Sequence, residues 1–149
     1  METFMTQFNG PLTGLLRWPQ WDALTEALRE RNDGLWYVYY IGEEVPTAPL
    51  APEHFERFLR EITELLRRDH DESYLGIVYV DDLAQPTLIK IYDPHNLGAS
   101  CGSSGRRVLP AWTVSRAQPV DIQAEIANPG GRRRWWQSLF AWRAHPSAG

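Results

Sequence analysis

The chain has 149 residues and a mass of 17.2 kDa, the length of one ordinary domain, large enough to bury about two-thirds of its unfolded surface. With 43% hydrophobic residues, 23% charged residues and a single cysteine, it is neither a wholly disordered chain nor a collagen-like or disulfide-stapled one. The net charge of -4 is unevenly spread: Arg132, Arg133, Arg134 and Arg143 place +4 on an acid-free C-terminal stretch and leave -8 on residues 1–130, a body that nucleic-acid phosphates would repel.

The N-terminal stretch carries Glu2 and no basic region, and Asn9, Gly10, Pro11 and Gly14 interrupt its apolar residues, which does not read as a secretory signal. No stretch approaches the ~20 apolar residues of a membrane-spanning helix. A soluble, cytoplasmic protein is expected. Compactness and the use of arginine in place of lysine, with Lys90 the only lysine, suggest a bacterial one.

In chain order, residues 19–31 open with Pro19, carry Trp21, Leu24 and Leu28 at helical spacing, and stop at Asn32, Asp33 and Gly34, which predicts a short amphipathic helix. Residues 35–41 form an unbroken aromatic and β-branched run, the pattern of a strand covered on both faces. From Glu53 to Arg68, Phe55, Phe58, Leu59, Ile62, Leu65 and Leu66 share one helical stripe. Acids and arginines fill the other face, with Glu56 to Arg60 and Glu64 to Arg68 at the favourable i,i+4 order. Tyr74 to Val80 and Thr87 to Tyr92 predict an antiparallel hairpin across Asp81 to Pro86, a pairing that would set Asp93 near Ser73 and Tyr74. A fourth strand is expected around Ala111 to Arg116.

The predicted fold is therefore a single α+β domain over residues 1–130: a four-stranded mixed or antiparallel sheet with two helices mainly on one face. If the first two strands were parallel neighbours, their crossover would be right-handed. Asn128 to Gly131 reads as a hinge to a basic aromatic tail, residues 131–149.

Chemistry concentrates in two places. The segment from Asp93 to Arg107 begins at a strand end and combines turn residues, glycines, His95, Asn96, Cys101, Arg106 and Arg107. Its bland reading is a surface loop built by turn residues, and that reading is preferred. Its sharper reading is a loop holding an anion beside an activated thiol. Cys101 followed by five residues and Arg107 resembles the phosphate-binding loop of cysteine-dependent phosphatases. The resemblance implies Cys101 as nucleophile, Arg107 as anion holder and Asp93 as the acid that protonates the leaving group. It covers seven residues, and Ser100, Val108 and Pro110 depart from the family pattern. Hairpin pairing also brings Asp93 and His95 to the sheet end holding His70, Asp71 and Glu72. His70, His95, Cys101 and a carboxylate could make a mixed metal site, but paired ligand spacing is absent, and neither a metal nor a cofactor is expected.

The second place is the tail. As a helix it would group Trp135, Trp136, Leu139, Phe140 and Trp142 behind Arg132, Arg133 and Arg134. Closure over the domain's own core and contact with a partner are equally compatible with this pattern. Among external contacts, another protein is preferred to peripheral attachment at a membrane, because the acidic body opposes anionic lipid. Trp36, Tyr37, Tyr39 and Tyr40 suggest core or edge packing ahead of a base-stacking platform. The function expected is that of a small non-catalytic accessory or protein-interaction protein, with His95, Asn96, Arg106, Arg132, Arg133, Arg134, Trp135 and Trp136 as its binding residues. The alternative is a thiol-dependent, phosphatase-like hydrolase using Cys101.

Overall fold

The computed structural model describes residues 3–70, 72–96 and 109–122, together with residues 136 and 139. Within them the chain forms helix α1 (Phe4–Phe8), strand β1 (Thr13–Arg17), helix α2 (Trp18–Glu30), strand β2 (Tyr37–Tyr40) and helix α3 (Pro52–Asp69). Strands β3 (Tyr74–Val80) and β4 (Leu88–Ile91), a 3-10 turn (Pro94–Asn96) and strand β5 (Trp112–Ser115) follow. Both long helices start with proline in the first turn, where the missing N–H costs nothing. The stripe Phe55, Phe58, Leu59, Ile62, Leu65 and Leu66 is buried as its period demands. In place of the i,i+4 partners expected from spacing, Glu56 takes Arg29 of α2 at 2.9 Å and Arg67 takes Asp22 of α2 at 3.2 Å, while Arg68 takes its chain neighbour Asp69 at 3.1 Å.

The α+β class holds, and all pairings in the sheet are antiparallel, in the order β1-β3-β4-β5-β2. Among the described residues there are five strands rather than four, and α1 adds a helix to the two anticipated. Both additions lie before residue 18. The strand Thr-Gly-Leu-Leu-Arg has too few β-branched residues and no clean alternation to announce itself, and five-residue α1 is shorter than a marginal free helix. Strand β2 pairs with β5 at the far edge, so β2 and β3 are not neighbours and no parallel crossover exists.

The β3–β4 hairpin forms as expected, but its register is displaced by two residues. Val80 pairs with Ile89 and Val78 with Ile91, so Asp93 is carried toward Gly76 rather than Tyr74. Asp81 causes the displacement. Its N–H donates to Leu88 O at 3.1 Å, and its carboxylate accepts the N–H groups of Thr87 and Leu88 at 2.9 and 3.1 Å, which adds Thr87 to the turn. On the other side of β3, pairing jumps from Leu15↔Val78 to Arg17↔Tyr74 around Gly76, whose φ of 66° suits glycine.

The sheet is covered on both sides. One side packs α2, α3 and Trp36, Val38, Tyr40, Val78, Val80, Ile89, Ile91, Trp112 and Val114 into the main core, which Leu139 and Trp136 join. The other side holds a smaller core in which Phe4 and Phe8 meet Tyr39, Ile41 and Leu88. Trp36, Tyr39 and Tyr40 are buried, as core packing of the aromatic run requires. Among the described residues, no helix is long and apolar enough to cross a membrane.

Strand β1 forms one edge of the sheet, and its last two N–H groups are already used. Gln20 Oε1 accepts from Leu16 N at 2.7 Å and from Arg17 N at 3.0 Å. A short edge with occupied donors is a poor template for another chain. Replacing Gln20 with alanine is expected to cost about 1 kcal/mol, as loss of a helix cap does, and to increase self-association. Equilibrium urea titration and sedimentation velocity read the two effects; an unchanged monomer fraction would refute the edge-guarding role.

At the opposite corner, Arg116 makes a bidentate pair with Asp33, both N···O distances being 2.8 Å. The Arg116 guanidinium, helped by the Leu35 N–H, outweighs desolvation and holds the Asp33 carboxyl at about 2, below its ordinary 3.8. A carboxyl depressed by folding stabilises the native state above its unfolded value, and that contribution fades as pH falls from about 3.8 to about 2. Asp33→Asn should therefore be less stable than wild type at neutral pH, with the gap closing through that interval. The pair is solvent-exposed, so the gap is small, and urea midpoints measured at both ends of the interval should detect it.

Candidate interaction surface

Four chain segments end at one end of the sheet. Strand β1 runs directly into α2 at Arg17 and Trp18, α3 stops at Asp69, β3 starts at Tyr74, and β4 delivers Asp93 to the 3-10 turn. Antiparallel pairing of β1 and β4 with β3 makes these ends coincide.

On the β1 side, Trp18 is the centre. Its indole N–H donates to Glu72 O at 2.8 Å, which ties the start of α2 to the segment entering β3. The Arg67 guanidinium lies 4.3 Å from the Trp18 ring centroid, and Arg67 Nη2 also reaches Asp22 Oδ1 at 3.2 Å. The His70 ring sits 6.4 Å from the indole at 50°. His70 Nε2 is 3.0 Å from Tyr74 O; a carbonyl only accepts, so Nε2 carries the proton and Nδ1 is the other available nitrogen. Trp18, Arg67, His70, Glu72 and Ser73 line an open cleft of about 330 Å³. At the adjoining ends of the paired strands β1 and β3, Leu16 is 47% and Tyr74 59% exposed, large values for apolar side chains.

On the β4 side, the geometry is that of a structural turn. Asp93 is buried, and its Oδ1 accepts the His95 N–H at 2.9 Å, an Asx turn that starts the 3-10 segment. His95 Nε2 lies 3.3 Å from Asp69 Oδ2, and Asp69 Oδ1 accepts from Arg68 Nε at 3.1 Å. The turn is thereby fastened to the last residue of α3.

The structure thus brings Asp93 and His95 to the same sheet end as His70, in agreement with the hairpin argument, and puts Asn96 in the 3-10 turn. Asp93 caps a turn, and burial keeps its carboxyl from open access. Among the described residues, no group of three or more His, Cys, Asp and Glu side chains could hold a metal ion. Cys101, Arg106, Arg107, Arg132, Arg133, Arg134 and Trp135 lie outside the described residues. Trp136 packs its ring 5.3 Å from that of Tyr40, and Leu139 is buried in the main core, so these two tail residues contact the domain itself.

Sequence reasoning missed Trp18, Arg67, Leu16 and Tyr74 as surface features. Arg67 reads as one more charge on a solvated helix face until Trp18 is known to lie beneath it. A tryptophan immediately before the helix-starting Pro19 was the available signal; it is half-buried against the main core. Compared with protein-family models, curated proteins and solved structures, the chain finds no match.

Proposed function

We propose that the chain is a non-catalytic, cytoplasmic accessory protein that binds another protein through the β1–β3 corner. The observation that carries this reading is the cleft walled by Trp18, Arg67 and His70, with exposed Leu16 and Tyr74 close in the chain to its lining residues Trp18 and Ser73. Tryptophan, tyrosine and arginine are the side chains on which interface energy concentrates, because they offer large contact area with directed polar groups. Here Trp18 is held by its N–H bond and by Arg67, so little freedom is lost when a partner covers it. His95 and Asn96, on the far side of the α3 terminus, extend the same end of the molecule.

A photoreactive phenylalanine analogue at position 74 would capture the partner for identification, after which affinities can be compared among variants. Trp18→Ala and Tyr74→Ala are each expected to weaken binding about tenfold or more, the effect of removing an interface anchor. Cys101→Ser should bind as wild type. Wild-type affinity in both aromatic variants, with loss in Cys101→Ser, would transfer the function to the thiol-bearing segment. Substituting Arg132, Arg133 and Arg134 together tests the tail more cleanly than truncation at residue 130, which would strip Leu139 from the core.

A further inference from the structure

We draw no further inference here: the strongest candidate, the open cleft between the start of α2 and the end of α3, belongs to the surface already described, and nothing in the structure shows what covers it.

Discussion

Trp36→Ala is expected to cost about 3–5 kcal/mol, the range for deleting a buried aromatic side chain, and so a large part of a domain's total stability. Trp36 is fully buried and joins four parts of the molecule. Its indole N–H donates to Arg31 O at 3.0 Å, closing the end of α2. Its ring stacks on Phe55 of α3 at 5.7 Å and 7°. The Arg116 guanidinium, already held by Asp33, lies 4.8 Å from the ring centroid. Its own carbonyl accepts the Leu50 N–H at 2.9 Å, which brings the proline-rich connection against the start of β2. Alanine would keep that last bond and lose the others. Urea unfolding should show a midpoint lower by about 2 M. Trp36→Phe separates the contributions in part: it keeps one aromatic ring to face Phe55 but gives up the N–H bond and the volume of the second ring, so a loss smaller than that of the alanine variant is expected. A Phe variant as unstable as the Ala variant would show that the stack carries little.

Asp81→Ala is the second large effect, about 2–3 kcal/mol, because one carboxylate organises the whole hairpin turn. Asp81 Oδ1 accepts from the N–H groups of Asp82, Thr87 and Leu88, and Oδ2 accepts the Thr87 hydroxyl. That same hydroxyl accepts from Gln7 Nε2 at 3.3 Å, so the turn also anchors α1. Alanine leaves several part-buried donors without an acceptor, the costly way to lose hydrogen bonds. Amide exchange at Thr87 and Leu88 should accelerate with the fall in stability, and protection of α1 should fall with them. Asp81→Asn keeps one acceptor oxygen and should recover part of the loss. Exchange rates at Thr87 and Leu88 equal to wild type in the alanine variant would rule the organising role out.

The residues that announced themselves did so through period. Phe55 to Leu66 could lie on one face only as a helix, and Tyr74 to Val80 could be read as a strand because β-branched and aromatic residues dominate it. Strand β1 lacked that signal, since Gly14 acquires meaning only when the Tyr79 ring of β3 lies beside it. The hairpin was legible, yet its register was not: a side chain bonding to the backbone of its own turn moved it by two residues. The cleft beside Trp18 was hidden for a related reason. Trp18 and Arg67 are far apart in the chain, and nothing local to either residue marks them as partners. Asp93 and His95 lie at the expected end of the sheet but two residues out of the expected register, and Asp93 serves as a turn cap, the commoner use of an aspartate followed by proline.

The position of β5 between β4 and β2 has a consequence for biosynthesis. Among the described strands, β2 pairs only with β5 and is translated long before it, so a nascent chain halted short of Trp112 holds Tyr37–Tyr40 without that partner. Aromatic strands in that state adhere readily to other unfinished polypeptides. Sheet completion is therefore deferred until late in elongation, when β5 has been made and can close the gap between β4 and β2.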